Sequence, residues 1–168
     1  MPAYTDYYVI ERNEIPMKVS RESAQKSVEY LKQHHYFGEL SPTNVMHNLP
    51  QTVVAFDYDA CTMSTEYEVR DWMLNPANTM HGGFIAMCAD TALGQLVETL
   101  VGHYTPTVEL SVSYLRAVPP TGSIVISGHA GHVGRTLAHV TGEIYSKETG
   151  KLLATCKGVY FTAAVEKG

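Results

Sequence analysis

The chain has 168 residues, 45% of them hydrophobic, which suits one domain with a substantial core. Charged residues make up 17% and the formal net charge is −5. That balance argues against DNA or RNA as a partner, since nucleic-acid binders carry a basic patch, but it leaves room for a local anion site. The three cysteines, Cys61, Cys88 and Cys156, are far apart and odd in number, so they read as free thiols in a reducing, cytoplasmic setting. The N-terminus has no signal-peptide pattern, and no window reaches about 18 apolar residues, so no membrane span is expected.

In chain order, residues 1–19 read as an irregular arm that packs through its tyrosines. "SRESAQKSVEYLKQHHYF" reads as a surface helix of about four turns. Ser20 is its N-cap, Glu22 lies in the favourable first turn, and Ala24, Val28, Leu31 and His35 form its stripe. Gly38 and Pro42 end it. Residues 1–50 are thus expected to pack as an arm and short helix on a main domain, residues 51–168. From Gln51 the period changes to two. "QTVVAFDYDA" and "TMSTEYEVRDWML" read as strands joined near Ala60 or Cys61, the second stopped by Pro76.

A long apolar helix follows, ended by Gly102 and Pro106. Four more strands come next: "TVELSVSYLRAV", "GSIVISGHAGHV", "RTLAHVTGEIYS" and "KLLATCKGVYFTA", with breaks at "PPTG", "HVGR" and "KETGK". In the first of these, Val108, Leu110, Val112 and Tyr114 should face one way and Glu109, Ser111 and Ser113 the other. The tight links favour antiparallel pairing. The apolar helix is the one element long enough to cover such a sheet, so the class is α+β.

Two features of "NPANTMHGGFIAMCADTALGQLVETLVG" are unusual: the His81-Gly82-Gly83 entrance and the lone Asp90 in an apolar run. With Gly83 at zero and about 100° per residue, Asp90 falls near 340°, on a strip with Ala86, Gly94 and Val97. Thr91, Gln95 and Glu98 form the adjacent polar edge, and the helix holds no Lys or Arg. A half-buried carboxylate must be paired, solvated or protonated. Asp90 either meets a cation or water at an interface, or does chemistry. The two glycines leave first-turn amides bare at the positive helix end, a place for an anion or a polarised carbonyl oxygen. They equally permit a tight entry that His81 caps. Gly83 and Asp90 are about 10.5 Å apart along the axis, too far to act on one atom. If both serve one reaction, Asp90 comes from a second, antiparallel copy of the helix, as in a two-fold dimer.

Other constellations are weaker. His34-His35 read as solvated. His129 and His132, three apart, fall on opposite faces of a regular strand, and with His139 they show no zinc-ligand spacing. Ser111 and Ser113 lack a nucleophile elbow, and no phosphate-loop or dinucleotide glycine pattern occurs.

"NPANTMHGGFIAMCADTALG", "TVELSVSYLRAVP" and "GRTLAHVTGEIYSKETGKLLATCKGVYF" together resemble the hotdog-fold acyl-CoA thioesterases of the phenylacetate-degradation and thioesterase-superfamily type. The resemblance covers roughly Thr52 to Thr162. It implies a hotdog fold, with an antiparallel sheet wrapped around a long central helix and chains paired into homodimers or homotetramers. It implies hydrolysis of an acyl-CoA thioester, with coenzyme A as part of the substrate and no separate cofactor or metal.

By the same resemblance Asp90 is the general base or nucleophile and the Gly83 amide polarises the carbonyl. His81 fixes the loop and thioester, Asn75 positions water or carbonyl, and Thr107 assists the water. Arg116, Arg135 and Thr136 contact the nucleotide. No nucleic-acid or membrane partner is implied. A non-catalytic acyl-CoA or acyl-carrier-protein binder on the same scaffold, and a hotdog hydratase, are the competing classes. Acyl preference stays open.

Overall fold

The apolar run folds into α2, Gly82–Val101, whose residues Cys88, Leu93, Leu96, Val97 and Leu100 are wholly buried. The computed structural model describes residues 18–36 and 41–163. Among these, six strands form one antiparallel sheet in the order β1-β2-β4-β5-β6-β3. They are β1 Gln51–Asp57, β2 Thr62–Glu68, β3 Thr107–Tyr114, β4 Ser123–Val133, β5 Leu137–Ser146 and β6 Leu152–Phe161. The sheet stays open, with β1 and β3 at its edges, and curves around α2, which packs on β2 to β6. This is the hotdog fold. By length and composition alone α2 would suit a membrane span; here its apolar surface is spent on the sheet.

The helix sits close because the strands beneath it lack side chains where it crosses. Gly128 and Gly142 pair across β4 and β5. A Cβ on Gly128 would lie 2.9 Å from Leu93 Cδ2; one on Gly142 would lie 2.7 Å from Cys156 Sγ and 3.1 Å from Leu93 Cδ2. α2 ends where Gly102 adopts φ 81 and its N–H donates to the Glu98 carbonyl, the left-handed cap that glycine favours.

Helix α1, Arg21–His34, starts as expected: the Ser20 side chain accepts from the Ser23 amide. Ala24, Val28 and Leu31 are buried, and α1 packs on β1 and α2. His35 does not continue the stripe. It leaves the helix with φ 67 and is exposed, and its N–H donates to the Leu31 carbonyl. Its own carbonyl accepts from the Gln51 and Gln95 side-chain amides, the latter at 3.1 Å. The expected arm at 1–17 and the stop at Gly38 lie outside the described residues.

Three strand expectations change. β2 stops at Glu68 instead of running to Leu74, because Asp71–Met73 turn in a 3-10 helix that buries Met73. On β3, Leu110 and Val112 pack against the core, but Val108 and Tyr114 are 59% and 53% exposed. Val108 lies at a bulge on an edge strand, and Tyr114 reaches the start of α2. His129 and His132 share the outer face, because a bulge between Ala130 and His132 inserts one extra residue; the His132 and His139 rings lie 6.1 Å apart. No group of three or more potential metal-binding side chains converges among the described residues.

Filling the glycine gap under α2 should force overpacking. Gly142→Val is expected to lower stability by about 1–3 kcal/mol, read from the urea midpoint at unchanged slope. An unchanged midpoint would show that the helix does not press on this row.

Candidate active site

Asp90 is half-buried on α2, and hydroxyls take the place of a cation. Its Oδ1 accepts from Thr107 Oγ1 at 2.8 Å and from the Tyr160 hydroxyl at 3.1 Å. The same hydroxyl lies 3.1 Å from the Asp90 carbonyl oxygen. No Lys or Arg pairs with Asp90 among the described residues. Thr107 and Tyr160 face each other in the β3–β6 ladder, so a single register delivers both donors. Burial, reinforced by the Asp90 carboxylate, holds the Tyr160 phenol well above its ordinary range, so it stays a donor. The small strip on α2 has a local use: a Cβ on Gly94 would meet the Tyr160 ring at 3.4 Å.

The start of α2 is built from a short loop. Asn75 closes it: its Oδ1 accepts from the Ala77 amide at 2.9 Å and the Thr79 amide at 3.2 Å, while its Nδ2 donates to Thr79 Oγ1 at 2.9 Å. The loop presents His81 as the N-cap, with Nδ1 accepting from the Gly83 N–H at 2.9 Å. The neutral ring therefore carries its hydrogen on Nε2. The Phe84 and Ile85 amides donate to the His81 carbonyl. The Gly82 N–H alone of these first-turn amides has no hydrogen-bond partner among the described residues. The Tyr114 hydroxyl donates to the Gly82 carbonyl at 2.8 Å and ties β3 to the helix entrance.

Asp90 and Thr107 therefore meet within one chain, while the entrance group of Asn75, His81 and Gly83 lies apart from them. Gly82 and Asp90 are eight residues apart on one helix, about 12 Å along its axis. The exposed Arg116, Arg135 and Thr136 also divide. Arg116 donates to the Leu152 carbonyl at the start of β6. The Thr136 carbonyl accepts from the Thr162 amide just beyond its end. Ten residues of strand separate these points by about 30 Å. Sequence reasoning missed Tyr160, Tyr114 and the open Gly82 amide. The first two depend on strand register and the third on which amide His81 caps.

A pocket of about 340 Å³ runs from Asp90 along α2 past Gly94 and Gln95 to Glu98, walled also by Tyr36, Tyr160 and Thr105. Glu98 has no cation beside it among the described residues, and the Thr105 amide is a long 3.4 Å away. Burial pushes its carboxyl up to about 8, with that amide pulling weakly the other way. The unfolded chain releases this proton near the ordinary 4.5. Stability therefore falls as pH rises from that value to about 8 and levels off above it. Glu98→Gln removes the ionisation. The variant's Tm relative to the parent should climb across that window, as followed by thermal melts; a constant difference would mean Glu98 titrates normally.

The sequence matches a family model described as Thioesterase superfamily over residues 77–153. A Caenorhabditis elegans protein that carries an esterase name is 28% identical over 127 residues, covering 75% of each chain. Acyl-coenzyme A thioesterase 13 of Mus musculus is 31% identical over 90 residues, 53% of this chain and 64% of that one, so the match spans just under two thirds of it. A Streptococcus mutans protein solved bound to acetyl CoA superposes with a TM-score of 0.62 at 25% identity, covering 77% of this chain and all of the other. With α2 wrapped by the antiparallel sheet, the chain has the hotdog fold, and residues 77–153, just under half of it, match the thioesterase-superfamily model.

Proposed function

We propose that the protein hydrolyses acyl-CoA thioesters at a site shared by two chains. One chain supplies the open start of α2 and the other supplies Asp90. The observation that carries this is a carboxylate at a pocket mouth, held by two hydroxyl donors with no cation beside it among the described residues. It lies on the same helix as the open amide, yet about 12 Å from it. Free thiols at Cys61, Cys88 and Cys156 support a reducing, cytoplasmic setting.

In this reading the thioester carbonyl oxygen accepts from the Gly82 N–H. The Gly83 amide, the expected donor, is held by His81 Nδ1. It serves by fixing the cap, and the positive helix end stabilises the charge that grows on the oxygen. Asn75 acts by locking the loop that presents His81. Water attacks the carbonyl carbon and gives its proton to Asp90 of the other chain. The tetrahedral intermediate then collapses, the C–S bond breaks, and the coenzyme A sulfur leaves with the proton that Asp90 took, which restores the carboxylate. Both hydroxyl donors act on Oδ1, so Oδ2 is the oxygen left to take the water's proton.

A second copy has a natural place to pair. β3 is an edge strand whose vicinity exposes Val108, Tyr114 and Leu115, and bare apolar edges invite strand pairing. An antiparallel neighbour there sets each chain's helix entrance, with Arg116, beside the other's Asp90, with Arg135 and Thr136. The two arginines then flank one site as partners for coenzyme A phosphates. Homotetramers would build on such dimers.

Asp90→Asn should lower kcat for acyl-CoA by about 10²–10⁴ with little change in substrate binding. Gly82→Pro removes one N–H at the first helical position, where proline is accepted, and His81 at φ −64, ψ 136 suits the residue before proline. It should cost about 10²–10³ in kcat, as measured by thiol release. A folded Asp90→Asn enzyme at the parental rate would refute the base assignment.

A further inference from the structure

The pocket beside Asp90 becomes polar at its far end. Gln95 and Glu98 lie about 7 Å and 12 Å beyond Asp90 along α2. Glu98 lines the pocket with most of its surface covered. Gln95 and Thr105, 4% and 3% exposed, also line it, as does the half-buried Tyr36. Gln95 Oε1, Thr105 Oγ1 and the Tyr36 hydroxyl have no hydrogen-bond partner among the described residues. Each such atom costs about 1–3 kcal/mol when left unpaired, and clustered cases call for an explanation. Tyr36 comes from the segment after α1, so that segment shapes the pocket while α1 packs.

Resting on the thioesterase reading above, we infer that this pocket takes a medium-length acyl chain carrying a hydroxyl near its far end, bonded to Glu98 and Gln95. The hydroxyl meets the half-buried Glu98 carboxyl first, and side-chain rotations bring the covered Gln95 oxygen and the Thr105 and Tyr36 hydroxyls to it. A plain methyl end leaves these groups unpaired. A carboxylate end would meet Glu98 with no cation at hand among the described lining residues. An ammonium end would have to shed its water beside a carboxyl that burial keeps protonated up to about 8.

The test compares kcat/KM for the CoA thioesters of octanoic acid and of its ω-hydroxy, ω-carboxy and ω-amino analogues at neutral pH. The ω-hydroxy thioester should exceed octanoyl-CoA by about tenfold or more, with the ω-carboxy and ω-amino thioesters below it, since a site built to bond a hydroxyl rejects the analogue lacking it. Glu98→Leu should bring the hydroxy-to-plain ratio to one or below, and Glu98→Gln should keep it above one. A parental ratio of one or less overturns the inference and needs no variant. So does an ω-carboxy or ω-amino preference, or an unchanged ratio in folded Glu98→Leu. Hydrolysis of all four thioesters without a hydroxyl preference sinks this inference alone; hydrolysis of none of them while acetyl-, palmitoyl- or phenylacetyl-CoA is cleaved also sinks it alone, and hydrolysis of no thioester in that wider set sinks the thioesterase reading and this one with it.

Discussion

One continuous helix carries both chemical features. An open amide stands at the first residue of α2 and a carboxylate eight residues later, so a rigid rise of about 1.5 Å per residue keeps them about 12 Å apart. A carbonyl oxygen held at one and a water activated at the other cannot belong to the same thioester within one chain. Most of what surrounds the helix follows from that separation. Tyr114 secures the entrance, and Thr107 and Tyr160 secure the carboxylate, from opposite ends of the paired strands β3 and β6. Two half-sites are thus finished separately, and a two-fold neighbour is the economical way to join them.

The sheet supplies the rigidity. Gly128 and Gly142 let α2 settle onto β4 and β5, which fixes the depth of Asp90 relative to β6. Tyr160 reaches the carboxylate because Gly94 leaves room for its ring. Gly94 on the small strip thus has a contact inside the chain, and an interface need not be invoked to explain it.

Much of the fold was legible in residue patterns: the 20-residue apolar helix with its glycine stop, and six strands with their turns. Asp90 stood out because a carboxylate amid apolar residues needs a reason. The details that failed depend on three-dimensional pairing. Tyr160 comes within reach of Asp90 only through the register of strands distant in sequence. Helix polarity marks the first-turn amides in general, but which one stays open depends on the ring nitrogen of His81 capping Gly83 rather than Gly82. Val108 and Tyr114 keep their alternation yet lie exposed, because β3 is an edge strand. The bulge at Gly131 reversed the facing expected of His132, since one inserted residue shifts the period of two.

Shared chemistry between two chains is tested most directly by mixing two crippled proteins. Asp90→Asn and Gly82→Pro chains are each purified, unfolded together and refolded as a mixture. Half of randomly formed dimers are hybrids, and each hybrid has one site with an intact amide from one chain and an intact carboxylate from the other, so the mixture should recover up to about a quarter of the parental rate. A refolded mixture no more active than its two parents would place both groups in the same chain's site and contradict the two-chain arrangement.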